Sequence, residues 1–359
     1  MIKPPENIRS IKPYIPGKPV EELERELGIK EAIKLASNEN PLGPSPLAVE
    51  EIQKHLIKIN RYPDGSGYYL KKALSSHLGV SEESLILGNG SNELIDIAVK
   101  TYMTADDEAV MAWPSFVVYP LAVQMIGAKS IKVPLTEDLR HNLKEMAKAI
   151  TDRTKIVFVA NPNNPTGTIN YADEFDAFMK DVPEDVLVVV DEAYYEYVTD
   201  NRYPDTLEYL KAGRNLLILR TFSKAYGLAG LRIGYGISRE DIIIEMNKIR
   251  EPFNTNSLAQ VAALKALEDK EHLKRSIEIN EKGKHYLYKA FDELGLEYVP
   301  TETNFIFVKL KGITSQELYG RLLKKGVIIR PIGEDSVRIT IGLEEENRVL
   351  VQQLKAVLS

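Results

Sequence analysis

The sequence predicts a two-part α/β protein: a larger domain on a mainly parallel sheet covered by helices, and a smaller α+β domain after it. Three observations carry this. At 359 residues, the chain exceeds the roughly 250–300 residues at which a single hydrophobic core stops growing. Between about 85 and 220, short continuous runs of Val, Ile and Leu alternate with helical stretches, as in strands buried on both faces. Past Pro252, long charged helical stretches accompany a few isolated strands.

In chain order, residues 1 to about 20 are rich in proline and lysine and predict an extended arm. EELERELG (21–28) has helical spacing, and SNENPLGPSP (37–46) is turn-rich. A helix near 46–58, the turn cluster RYPDGSG (61–67) and a helix over 68–78 follow. SLILG leads into a helix from Ser91 to about Met103, whose Leu94, Ile95, Ala98 and Tyr102 share one face. Strands are predicted at AVMAW (109–113), KSIKVPL (129–135), KIVFVA (155–160), VLVVVD (186–191) and NLLILR (215–220). A long charged helical region spans about 256–295. Then come strand NFIFVKL, helix TSQELYGRLLKKG, strands VIIRPI and SVRITIG, and the closing helix EEENRVLVQQLKAVL. These divisions place an arm at 1–36, the larger domain at 37–250 and the smaller one at 251–359, the arm joining the smaller domain.

Composition narrows the function. A net charge of −6 argues against a nucleic-acid binder. The absence of cysteine excludes disulfides and thiolate chemistry, and five scattered histidines offer no zinc spacing, so no metal site is expected. No apolar run approaches 18 residues and the N-terminus has no apolar signal region, so the expectation is a cytoplasmic protein without membrane contact.

Four polar clusters stand where predicted strands end: GNGSNE (88–93), NPNNPTG (161–167), DEAYYEY (191–197) and TFSK (221–224). In parallel sheets ligands bind at the carboxyl ends of the strands, where these four would converge. Backbone N–H groups at the helix start, with Gly90 allowing close approach, suit a phosphate; a Ser or Asn helix cap is the plainer reading. In NPNNPTG two prolines stiffen the turn that projects Asn163 and Asn164. Asp191 ends a run too apolar to shelter an unpaired charge, so it implies a cationic partner, whether a ligand or a structural salt bridge. Lys224 lies among Thr221, Ser223 and Arg232, which form a second half of a phosphate cradle. Cationic and desolvating surroundings lower an amine's pKa, and a neutral amine can form a Schiff base with an aldehyde.

In this order and spacing the motifs resemble the pyridoxal-phosphate-dependent aminotransferases of fold type I, over nearly the whole chain. The resemblance implies catalytic roles for Lys224, Asp191 and Tyr194. Lys224 would carry the cofactor and then move the substrate proton, and Asp191 would partner the ring nitrogen. Asn164 and Tyr194 would bond the ring's phenolic oxygen. Gly90, Ser91, Asn92, Thr221, Ser223 and Arg232 would hold the phosphate of pyridoxal 5'-phosphate, with Phe116 of WPSF stacked on the ring.

Within that family the chain is most similar to the histidinol-phosphate aminotransferases, on SNENPLGPS, RYPDG, VIIRPI and SVRITIG. Arg330 and Arg338 would then grip the phosphate of histidinol phosphate, and Arg338 would also receive the carboxylate of glutamate. Tyr62 would reach the neighbouring cofactor phosphate across a homodimer interface, and Tyr14 and Asn40 would lie near substrate. The implied reaction interconverts L-histidinol phosphate plus 2-oxoglutarate with imidazole-acetol phosphate plus L-glutamate in histidine biosynthesis, by a ping-pong scheme. Other enzymes of this fold, an aromatic or broad-range aminotransferase or a threonine-phosphate decarboxylase, share these features. A ligand-sensing regulator would need a DNA-binding domain, for which the arm is too short. A dinucleotide-binding dehydrogenase fails because GNGSNE lacks the third glycine of its fingerprint.

Overall fold

The structure is a computed structural model that describes residues 2–13, 17–28 and 32–358. The first strand, β1 (Ile33–Lys34), is followed by seven that form one sheet: β2 (Leu85–Gly88), β3 (Glu108–Trp113), β4 (Lys129–Pro134), β5 (Thr154–Ala160), β6 (Leu187–Asp191), β7 (Leu216–Thr221) and β8 (Gly234–Ile237). Their order is β2-β8-β7-β6-β5-β3-β4. β3 to β7 pair in parallel, while β8 is antiparallel to both β7 and β2. Six carboxyl ends and the amino end of β8 therefore share one edge.

The apolar runs give this sheet two buried faces. Val157, Val159, Val188, Val190, Leu216 and Ile218 face one core layer with Phe175, Phe178 and Phe222. Ile156, Phe158, Leu187, Val189, Leu217 and Leu219 face the other with Leu94, Ile95 and Ala98 of helix Ser91–Tyr102. Neighbours along each strand alternate between layers, as the pleat requires.

β8 was not foreseen. Its residues, GYGI, carry too little apolar weight to read as a strand, and two of the four are glycines. At Gly234 the glycine is required: a Cβ there would lie 2.7 Å from the Ser91 amide and 2.9 Å from the Arg220 carbonyl.

The expected helical region over about 256–295 consists of two helices, Ser257–Glu268 and Lys270–Glu293, divided at Asp269. Asp269 caps the second by accepting from the His272 amide at 3.1 Å and takes the Ser45 hydroxyl at 2.5 Å. Ala259, Ala262, Ala263 and Ala266 give the first helix a small-residue stripe that packs into the larger core beside Ala48, Leu70 and Leu74.

Five strands follow: β9 (Glu297–Val299), β10 (Phe305–Lys309), β11 (Val327–Ile328), β12 (Arg330–Ile332) and β13 (Ser336–Thr340). β12-β13-β10-β9 form an antiparallel sheet, and β1 pairs in parallel with β11. A separate core of Leu287, Phe291, Ile306, Val337, Ile339, Leu350 and Leu354 joins this sheet to helices Lys270–Glu293 and Glu344–Leu358. VIIRPI is thus two short strands, which puts Arg330 directly opposite Arg338 in register. Among the described residues no helix is long and apolar enough to cross a membrane.

Candidate active site

A cavity of about 410 Å³ opens at the shared sheet edge. It brings together Ser91, Asn92, Phe116, Asn164, Asp191, Tyr194, Thr221, Ser223, Lys224, Arg232 and Arg338, eleven of the residues singled out in the sequence. β5, β6 and β7 deliver three of its walls through the segments that follow Ala160, Asp191 and Thr221.

One end is an anion cradle. Helix Ser91–Tyr102 begins after Gly90 with no side-chain cap, so the plain capping reading of Ser91 does not hold. Its first amides carry the positive end of the helix dipole. Gly90 has φ +78°, and a Cβ there would overlap the Arg232 guanidinium. Arg232 itself sits at φ +58°, a left-handed conformation that costs a non-glycine residue on the order of 1 kcal/mol. It donates to Ser223 Oγ at 3.2 Å and to the Ala229 carbonyl at 3.2 Å. The Ser223 amide in turn donates to Thr221 Oγ1 at 3.1 Å.

At the other end is Asp191. Its Oδ2 accepts from the Tyr119 hydroxyl at 2.8 Å and its Oδ1 from the Ala193 amide at 3.1 Å. Burial pushes its carboxyl up to about 6, partly offset by these two donors. Tyr119 is raised well above the usual phenol range by burial and by Asp191, so it stays a donor. The structural salt bridge considered for Asp191 falls on the next residue, Glu192, which pairs with Arg220.

Lys224 lies between the two ends, its Nζ donating to the Ser37 carbonyl at 3.2 Å. Burial, then the charge of Arg338, lower its amine to about 8. Tyr194 stands beside it, with Lys224 Nζ 5.7 Å from the ring centre, and its hydroxyl accepts from Asn38 Nδ2 at 2.8 Å. Asn38 is buried at φ 55° and is held by Thr340 of β13 and by Asn304, so Tyr194 is anchored through the smaller sheet.

In NPNNPTG the two asparagines divide. Asn163 is buried and braces the loop, accepting from Ser115 at 2.8 Å and donating to Thr166 Oγ1 at 2.9 Å. Asn164 faces the cavity and accepts from Arg338 Nη1 at 2.5 Å, while Arg338 Nη2 donates to the Ala36 carbonyl at 2.7 Å.

Three expected residues lie elsewhere, and a fourth falls outside the described residues. Asn40 does not line the cavity; its Nδ2 donates to the Ala225 carbonyl at 2.9 Å and to Ser276 Oγ at 2.8 Å, tying the turn to the lysine loop. Arg330 flanks Arg338 on β12 but is not among the lining residues. Tyr62 is 82% exposed and stacks on Phe253 with ring centres 4.7 Å apart, outside the cavity. Tyr14 lies outside the described residues. Tyr119 and Asn38 were missed. For Tyr119 the signal was its place three residues after Phe116, the aromatic already expected in the cavity; for Asn38 it was the left-handed tolerance of asparagine in a turn.

This donor set fits pyridoxal 5'-phosphate. The cradle offers amides, hydroxyls and a guanidinium to a phosphate, Asp191 offers an anion to a ring nitrogen, and Lys224 offers an amine of lowered pKa to an aldehyde.

Residues 30–354 match the family of aminotransferase class I and II. The chain is 54% identical over 359 residues to a histidinol-phosphate aminotransferase of Moorella thermoacetica, covering 99% of this chain and 92% of that one. It is 44% identical to a histidinol-phosphate aminotransferase of Caldicellulosiruptor saccharolyticus, covering 98% and 99%. The histidinol-phosphate aminotransferase of Sinorhizobium meliloti, solved with pyridoxal-5'-phosphate, superposes with a TM-score of 0.90 at 30% identity, covering 98% and 96%.

Proposed function

This chain belongs to the aminotransferase class I and II family, and we propose that it interconverts L-histidinol phosphate plus 2-oxoglutarate with imidazole-acetol phosphate plus L-glutamate. The observation that carries this is Arg338, a guanidinium in the same cavity as Lys224, Asp191 and the anion cradle. A planar fork there matches a carboxylate and a phosphate alike, which are the anions of the two amino donors. The similarity to histidinol-phosphate aminotransferases supports the choice of substrate.

Pyridoxal 5'-phosphate, when bound, supplies an aldehyde for the amino group and a ring that accepts electrons from the α-carbon. Ser91, Asn92, Thr221, Ser223 and Arg232 would hold its phosphate, with Gly90 leaving room for the approach. Asp191 holds the proton on the ring nitrogen, its carboxylate oriented by Tyr119 and Ala193. Tyr194 and Asn164 would bond the phenolic oxygen, and Phe116 would lie against the ring. Lys224 would hold the cofactor's aldehyde and, once free of it, would carry the proton at the substrate α-carbon; an amine lowered to about 8 is available in both protonation states near neutral pH. Arg338 orients the substrate anion, and Arg330, opposite it in register, adds charge when that anion is a phosphate.

The active form is a cytoplasmic homodimer. Tyr62 and Phe253, stacked on each other, and Ile57 and Ile59 are exposed apolar side chains that a second copy would cover, and in that dimer Tyr62 would reach the neighbouring cofactor phosphate. The purified protein, assayed with histidinol phosphate, phenylalanine and threonine phosphate while carbon dioxide release is followed, tests the assignment. Carbon dioxide from threonine phosphate, or preference for phenylalanine, would refute it.

A further inference from the structure

Asp191 and Thr221 have neighbours that point away from the cavity. Side chains alternate along a strand, so Glu192 and Arg220 leave the reverse face of the same strand ends. There they meet: Arg220 Nε and Nη2 each lie 2.8 Å from Glu192 Oε2, with the side chains 6% and 0% exposed. Thr206 donates its hydroxyl to the other Glu192 oxygen at 2.6 Å. The Tyr195 ring covers the guanidinium, whose carbon is 3.6 Å from the ring centre. Tyr195 packs edge-on against Tyr203 at 6.0 Å, and the Tyr203 hydroxyl donates to the Asn161 carbonyl. Backbone bonds close the assembly, with the Glu192 amide donating to the Leu219 carbonyl at 2.8 Å and the Asn161 amide to the Asp191 carbonyl at 3.0 Å.

The brace therefore spans the carboxyl ends of β5, β6 and β7. Each of those ends also carries a cavity residue: Asn164, Asp191, and Thr221 with Lys224. A buried ion pair is weak evidence for stability, because apolar residues of similar volume often serve a core as well or better. What such a pair does impose is geometry. The guanidinium fork and the stacked ring accept few relative positions of the two strands, where an apolar contact would tolerate sliding.

We propose that Glu192 and Arg220 are positioning residues that fix the separation between the ring-nitrogen end of the pocket, at Asp191, and its lysine and phosphate end, at Thr221 to Lys224. The proposal rests on the reading of the cavity as a pyridoxal-phosphate site. Neither residue touches the cofactor; both act through the strand ends that do.

The test compares wild type, the double variant Glu192→Leu/Arg220→Met, and Arg220→Lys, which keeps the charge but loses the fork. Apoprotein is titrated with pyridoxal 5'-phosphate to give a dissociation constant. The pH midpoint of the bound cofactor's visible absorbance and the apoprotein's melting temperature are measured on the same samples. The double variant is expected to melt close to wild type, yet to bind the cofactor about tenfold more weakly or worse and to shift the absorbance midpoint. Arg220→Lys is expected to fall between the two. A double variant with the wild-type constant and midpoint overturns the proposal and leaves the pair a packing element. If the double variant does not fold, Arg220→Lys decides by the same titration, and wild-type values overturn the proposal. Wild-type protein that takes up no pyridoxal phosphate overturns the reading of the cavity itself, and the proposal with it, and is recognised before any variant is compared.

Discussion

Tyr119 donates its hydroxyl to Asp191 at 2.8 Å on the cavity wall, between two groups that burial drives toward their neutral forms. Folding therefore favours the protonated carboxyl of Asp191 in the cofactor-free protein. Its contribution is fully present below the ordinary value of 3.8 and is lost as pH rises through about 6. Above that, the buried carboxylate costs on the order of 2–3 kcal/mol. Cofactor-free Asp191→Asn is accordingly expected to be more stable than wild type at pH 8 and equal to it near pH 4. Urea unfolding at the two pH values measures this; a gap that does not narrow on acidification contradicts it.

Lys224 shifts the opposite way. Burial and Arg338 favour its neutral amine, so the apoprotein is expected to react with pyridoxal 5'-phosphate at a rate that climbs with pH through about 8, not with the midpoint near 10.4 of a solvated lysine. Arg338→Met removes the largest influence on the amine after burial and should move that midpoint upward. Stopped-flow absorbance across pH 6–10 (roughly the range an amine of this kind titrates in) reads both. A midpoint unchanged by the substitution would show that Arg338 does not act on the amine.

The two arginines should separate by substrate. Arg338 contacts Asn164 in the cavity, so Arg338→Ala is expected to impair turnover of both glutamate and histidinol phosphate. Arg330 stands one strand further out. Arg330→Ala is expected to raise KM for histidinol phosphate by about tenfold or more, the worth of one charge-assisted hydrogen bond, while glutamate kinetics stay near wild type. Equal losses on the two substrates would assign Arg330 a structural part instead.

Much of the site was legible because its chemistry is local. The glycine, asparagine, aspartate and lysine clusters each follow an apolar run, and a parallel sheet gathers such ends at one edge. What escaped depended on partners distant in sequence. Tyr119 is 72 residues from Asp191 and Asn38 is 156 from Tyr194, separations that no motif spans. Glu192 and Arg220 were hidden for another reason: each adjoins a conspicuous cavity residue, and only strand alternation shows that they face away from it. β8 was invisible because Gly234 lies against the turn at Gly90 and Ser91 and Gly236 against Ile86 and Leu217, so glycines stand where a strand would otherwise show branched residues.

That approach yields a sharp comparison between two glycines. At Gly234 an added Cβ meets backbone on every side, 2.7 Å from the Ser91 amide and 2.9 Å from both the Arg220 carbonyl and the Gly90 carbonyl carbon. None of these can rotate away, so the strand or the cradle must shift. Gly234→Ala is expected to lose about 1–3 kcal/mol of stability, as overpacking does, and to bind pyridoxal 5'-phosphate more weakly because the displaced atoms belong to the cradle. Gly230, two residues before Arg232, has nothing within 4 Å of its added Cβ. Gly230→Ala should change stability by no more than about 0.5 kcal/mol and leave cofactor binding intact. Melting temperature and cofactor titration on the two variants measure this; tight binding retained in Gly234→Ala would mean that β8 does not set the position of the phosphate loop.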